Sequence, residues 1–241
     1  MKRTLVHSFP PLIPGKLLSR YKRFFADIEL DNGETVTAHC PNTGPMTGVC
    51  KIGSPVLLSH STSPKRKLPY TWELIQVTDN NQTLWTGVNT ALPNRVIRHA
   101  LENYLIPELT GYDRVRHEVP YGQESSRIDF LLTSDAYPPT YVEVKNTTWI
   151  EGSLALFPDT VTERGQKHLR EMTALRPYAR AIMLYFINRG DADRFAPGDS
   201  RDPEYGELLR AAMAAGVEVL PCRFDVTPEG LYYVGLAKLD F

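Results

Sequence analysis

The chain has 241 residues, 27 basic and 28 acidic, for a formal charge of −1; with 42% hydrophobic and 23% charged residues it is not a wholly disordered polymer. At roughly 150 residues per domain, the length asks for one large or two small domains. No apolar run approaches the roughly 18–20 residues that span a bilayer, and residues 1–14 lack a long apolar signal core, so the reading is a cytoplasmic protein without a membrane partner.

Residues 17–30 mix aliphatic, aromatic and basic positions and read as extended; Asn32-Gly33 then turns the chain into a strand at 35–39. The run Pro41-Asn42-Thr43-Gly44-Pro45 is a loop, followed by strands at 55–59, 70–78 and 84–88. Charge is divided along the chain. Residues 1–90 carry 10 Lys and Arg against 6 Asp and Glu, a balance of +4, and the remainder carries −5. The positive side chains bunch at Arg20, Lys22 and Arg23 and again at Lys65, Arg66 and Lys67, beside Phe24 and Phe25. Such bunching favours a polyanion through phosphate neutralisation, although lysines guarding a sheet edge would look the same. Five short strands with a basic, aromatic-bearing face predict a small barrel of the oligonucleotide-binding (OB) type, with a β-sandwich as the alternative.

The rhythm changes at Pro93-Asn94, where Asn94 is a candidate helix cap and Val96, Ile97, Ala100, Leu101, Tyr104 and Leu105 recur at helical spacing until Pro107. Strands are expected at 114–121, 127–133 and 140–147. A capping box formed by Thr160 and Glu163 opens a helix to about residue 175, with Val161, Leu169, Met172 and Leu175 on its buried side. Residues 180–187 are continuously apolar, as a central strand covered on both faces should be. Residues 190–203 read as a loop, 203–215 as a helix ended by Gly216, and 217–220 and 231–234 as terminal strands. The division is therefore a barrel over 1–90 and a mixed α/β domain over 91–241.

The chemistry concentrates in Asp129, Glu143 and Lys145. If 127–133 and 140–146 form a hairpin around the loop at 135–138, Asp129 faces Glu143 directly, and Lys145 shares that face by the strand's period of two. Two opposed carboxylates repel unless a cation lies between them, and oxygen ligands suit Mg²⁺ or Mn²⁺. Such an ion activates water on a phosphodiester, with Lys145 orienting that water or stabilising the developing charge. A cross-strand salt bridge explains the same spacing. On the following helix Arg164, Lys167, His168 and Glu171 fall on one stripe, a surface for DNA phosphates or merely a solvated face, and Gln166 is a candidate to point inward. The remaining histidines have no ligand spacing, and no phosphate-cradling glycine motif is present. Cys40, Cys50 and Cys222 suggest reduced thiols rather than a disulfide framework or zinc site.

Several blocks carry a resemblance: Arg20-Tyr21-Lys22-Arg23-Phe24, Ala38-His39-Cys40-Pro41-Asn42-Thr43-Gly44, Ser63-Pro64-Lys65-Arg66-Lys67-Leu68, Gly87-Val88-Asn89-Thr90, Ser126-Arg127-Ile128-Asp129-Phe130, Tyr141-Val142-Glu143-Val144-Lys145-Asn146 and Arg164-Gly165-Gln166-Lys167-His168-Leu169. Together they resemble the sugar fermentation stimulation protein A family. The resemblance implies an N-terminal five-stranded OB-like barrel, a C-terminal domain like the PD-(D/E)xK nucleases, and DNA binding without sequence preference. It also implies a regulatory part in sugar, especially maltose, metabolism. Asp129, Glu143 and Lys145 stand at that superfamily's acidic and lysine positions, which implies Mg²⁺-dependent DNA cleavage; the alternative is a DNA-binding regulator without turnover. Many such nucleases add a carboxylate from the first helix, for which Glu102 and Glu108 are candidates, while His99 stands where an acid is expected. The form of the DNA, single- or double-stranded, and self-association into a homo-oligomer are left open.

Overall fold

The computed structural model describes residues 3–79 and 82–241. Strand β1 (Thr4–Ser8) precedes β2 (Ile13–Tyr21), β3 (Phe25–Leu30), β4 (Thr35–His39), β5 (Pro55–His60), β6 (Tyr70–Asp79) and β7 (Gln82–Gly87). The segment read as one strand over 17–30 is two, because the chain reverses at Lys22 and Arg23, both with left-handed φ of 48° and 64°. Sheet order is β4-β3-β2-β5-β6-β7, and a parallel contact between His39 on β4 and Thr71 on β6 closes the expected five-stranded barrel, with β7 appended outside it. Alternation drives the closure: Leu17, Ala26, Ile28, Val36, Ala38, Val56, Leu58 and Trp72 fill the interior.

The second half continues with α1 (Leu92–Glu102), β8 (Arg114–Tyr121), β9 (Ser126–Thr133), β10 (Thr140–Thr147), β11 (Trp149–Glu151) and β12 (Leu154–Phe157). Then come α2 (Glu163–Leu175), β13 (Arg180–Ile187), β14 (Arg194–Pro197), α3 (Pro203–Ala214), β15 (Glu218–Thr227), β16 (Gly230–Leu236) and β17 (Lys238–Leu239). A seven-stranded mixed sheet has the order β1-β16-β15-β13-β10-β9-β8, with β10, β13 and β15 parallel at its centre. The strand period sorts the helices to its two faces. Ile182, Leu184 and Phe186 pack with Val96, Ile97 and Ala100 of α1, whereas Met183, Tyr185 and Ile187 pack with α2 and α3. Among the described residues, no helix is long and apolar enough to cross a membrane.

Several expectations are corrected. Strand β1, grouped with the barrel by the expected division at residue 90, pairs antiparallel with β16 at the edge of the large sheet. The loop expected at 190–203 contains β14, which joins β11, β12 and β17 in a small second sheet. Helix α1 begins at Leu92 with Pro93 in its first turn, where a missing N–H costs nothing, so Asn94 lies inside the helix rather than capping it. Tyr104 is exposed. Helix α2 is capped by Thr162, whose Oγ1 accepts from Gly165 N at 3.1 Å, not by Thr160, and Val161 is 62% exposed. The two halves meet closely: Arg189 pairs with Asp79 at 3.2 Å, Thr47 N donates to Asp159 Oδ2 at 3.4 Å, and Leu57 and Leu74 join the core beneath α1.

Candidate functional site

Strand β10 lies between β13, with which it runs parallel, and β9, with which it runs antiparallel. The expected hairpin register is present: Thr140 pairs with Leu132, Tyr141 with Leu131 and Val142 with Phe130. The ladder then stops one pair short of Asp129 and Glu143. Where the strands part, Asp129 Oδ2 accepts from Val144 N at 2.7 Å in place of a strand carbonyl. The other oxygen, Oδ1, accepts from Asn94 Nδ2 at 2.7 Å, so α1 holds the carboxylate from the opposite side of the sheet. Burial and the nearby Glu143 carboxylate push the Asp129 carboxyl up to about 6.

Glu143 is 3% exposed, and its Oε1 accepts from Lys145 Nζ at 2.8 Å and from His168 Nδ1 of α2. Arg164 Nε approaches His168 Nε2 at 3.5 Å, an arrangement that puts the imidazole hydrogen on Nδ1. Burial pushes the Glu143 carboxyl up, but the Lys145 ammonium and the His168 bond outweigh it and hold the group below its ordinary range. Its second oxygen, Oε2, is buried with no hydrogen-bond partner. An ionised carboxylate with one lone oxygen in a buried site has an unmet demand for positive charge, which an oxygen-seeking divalent cation would satisfy. Among the described residues, no group of three or more His, Cys, Asp and Glu side chains is arranged to hold an ion. Asp129 and Glu143 are the two carboxylates that meet where the strands part.

Asp129, Glu143 and Lys145 are brought together; the expected nucleic-acid residues are more scattered. Lys22, Arg23, Lys65, Arg66 and Lys67 are exposed on barrel turns, with Arg66 also donating to Thr71 Oγ1 at 2.8 Å. Arg20 is spent internally, since its guanidinium donates to Asn42 O at 2.9 Å and Gly44 O at 3.0 Å and so shapes the loop between β4 and β5. That loop reaches the segments leading into the two helices: Thr90 Oγ1, ahead of α1, donates to Pro41 O at 2.8 Å, and Thr47 N donates at 3.4 Å to Asp159 Oδ2, ahead of α2.

The stripe on α2 is corrected as a DNA surface. Arg164 is exposed, but Lys167 donates to Glu124 O, His168 is buried against Glu143, and Glu171 is buried and accepts from Glu124 N at 2.9 Å. Gln166 does point inward, yet toward Asp202 at the start of α3. Nor does α1 supply an acid. Glu102 is paired with Arg98, Glu108 accepts from Tyr233 OH, and His99 contacts Asn103, while Asn94 occupies the position against Asp129. Asn94 was the residue missed: a cap reading and a site reading rest on the same letter, and only the start of the helix at Leu92 separates them.

Two family models match the chain in sequence: "SfsA N-terminal OB domain" over residues 18–84 and "Sugar fermentation stimulation protein RE domain" over 91–230. A sugar fermentation stimulation protein homolog from Cyanothece sp. is 64% identical, covering 97% of this chain and 98% of its own length. One from Synechococcus elongatus is 66% identical, covering 98% of each. The solved structure of Pyrococcus furiosus SfsA in complex with Ca²⁺ is similar with a TM-score of 0.86 at 26% identity, covering 99% of this chain and 100% of that one. Barrel, mixed sheet and nearly full-length relatives agree, and the chain belongs to the sugar fermentation stimulation protein family.

Proposed function

We propose that this protein binds DNA without sequence preference and hydrolyses its phosphodiester bonds, using Mg²⁺ or Mn²⁺ held by Asp129 and Glu143. The observation that carries the reading is the buried Glu143 carboxylate, with one oxygen fixed by Lys145 and His168 and the other left without a partner beside Asp129. The Ca²⁺ complex of the Pyrococcus furiosus relative supports an oxygen-ligated divalent cation in this family. When bound, the ion supplies polarisation of the phosphate and a water of lowered pKa.

The chain's own residues do the positioning. Asn94 and Val144 N hold Asp129, and His168 fixes Glu143 through Oε1 so that Oε2 keeps its orientation. Lys145 Nζ is the cation available to a non-bridging phosphate oxygen, where negative charge grows as water attacks phosphorus. Exposed Lys22, Arg23, Lys65, Arg66 and Lys67 would hold flanking phosphates by charge alone, which reads no sequence. A second reading, a DNA-binding regulator of sugar (maltose) metabolism without turnover, is favoured by the hydrogen bonds from Asn94 and Val144 N that already occupy both oxygens of Asp129.

Incubation of plasmid and single-stranded DNA with the protein in Mg²⁺, Mn²⁺ or chelator separates the two. Cutting that needs the ion and disappears in Asp129→Ala, while DNA binding survives, is the expected result. Wild-type protein that never cuts under any of these metals overturns the hydrolytic reading.

A further inference from the structure

Three concave regions run together along the outer side of α2. A cavity of about 410 Å³ at the β8–β9 turn is lined by Tyr121 and Arg127, and it shares Gly122 and Gln123 with a second of about 310 Å³ beside Arg170. The second shares Tyr178 with a third of about 550 Å³, lined also by Tyr137, Arg176 and Arg180. The track starts close to the carboxylates along the chain: Ser126 and Arg127, which line its first cavity, stand on β9 immediately ahead of Ile128 and Asp129.

Tyr178 is 84% exposed and Tyr137 55%, an uncommon outlay of aromatic surface on one groove. The Tyr178 ring is nevertheless carried on a fixed backbone. Its N–H donates to Leu175 O at 2.9 Å, the next N–H donates to the same oxygen at 3.0 Å, and Pro177 precedes it. Charge leans toward an anion: Arg127, Arg170, Arg176 and Arg180 line the track against Glu124, Glu171 and Glu218. Among the described residues Arg170 and Arg176 form no ion pair, although Arg176 gives one nitrogen to Ala179 O at 2.9 Å, while Glu218 is matched by Arg180 at 2.7 Å and Glu171 accepts from Glu124 N. Arginines alternating with aromatic faces along a groove suit a chain of phosphates whose bases are free to stack; a duplex keeps its bases inside.

We propose that this groove seats a single strand of DNA leading to or from the carboxylate site, with Tyr178 as a base-stacking platform and Arg170 and Arg176 as phosphate contacts. The inference rests on the phosphodiester reading of that site, but its test does not need cutting. Full-length protein is titrated, in chelator, into a fluorescein-labelled oligothymidylate of about 20 nucleotides and into a duplex of the same length, and anisotropy is followed. Tyr178→Ala is expected to weaken the single strand by about tenfold or more, with duplex affinity unchanged, and Tyr178→Phe to retain it. Because the side chain is so exposed, the melting temperature of Tyr178→Ala should match wild type, which separates lost stacking from lost folding. Unchanged single-strand binding, equal loss on duplex and single strand, or no binding of the single strand by wild type overturns the proposal. Failure of the hydrolytic reading shows instead as wild-type binding without metal-dependent cutting.

Discussion

Replacing Asp129 by asparagine should stabilise the metal-free protein while disabling its site. The carboxyl is raised from an ordinary 3.8 to about 6 by burial and by Glu143. At about 1.4 kcal/mol per pH unit, this corresponds to roughly 3 kcal/mol. The native state keeps a proton that the unfolded chain gives up between about pH 4 and 6. The group's contribution to stability is thus fully present below about pH 4 and is lost as pH rises through about 6. An amide stays neutral throughout and retains both hydrogen bonds, presenting its oxygen to Val144 N and its NH₂ to a turned Asn94 amide. Urea unfolding in chelator should therefore show Asp129→Asn more stable than wild type by about 3 kcal/mol near neutral pH, with the gap closing toward about pH 4. Glu143, held below its ordinary range chiefly by Lys145 against the effect of burial, contributes with the opposite sign, and its stability is lost at the acid end of the scale. A variant no more stable than wild type at neutral pH, or a gap that ignores pH, would refute the electrostatic account of the site.

Two further outcomes follow from other contacts. Changing Lys65, Arg66 and Lys67 together to alanine should weaken all DNA sequences alike and flatten the plot of log affinity against log salt by about 2 to 3 in slope; loss confined to one sequence, or an unchanged slope, contradicts a phosphate role. Gly122→Ala should destabilise by about 1–3 kcal/mol in urea melts, because Gly122 has φ 70° and a Cβ there would stand 2.2 Å from Glu171 Oε1; a variant as stable as wild type would show that the β8–β9 turn is not pinned by α2.

The register that brings Asp129 toward Glu143 was legible because strand period and turn position constrain a hairpin over a few residues. The parting of the strands was not, since it depends on a side-chain oxygen replacing a ladder carbonyl. The continuous apolar run of β13 identified the centre of the sheet for the same local reason. Contacts distant in sequence were invisible. Strand β1 reads as an ordinary short segment until β16, more than two hundred residues later, offers it an edge. His168 and Lys167 looked like members of a basic surface because helical spacing assigns a stripe without saying what lies beneath it; Glu143 and the Glu124 carbonyl lie beneath this one. Arg20 was misread similarly: a cationic cluster does not reveal which member turns inward to loop carbonyls.

The central claim is that Asp129 and Glu143 jointly lodge a divalent ion, and titration of Mn²⁺ with the electron paramagnetic resonance signal of the free ion tests it most directly. Wild-type protein should take up Mn²⁺ and release it to excess Mg²⁺, while Glu143→Gln and Asp129→Asn, both folded by their melting curves, should leave the ion free. Uptake that is absent from wild type, or undiminished in either variant, would contradict the claim.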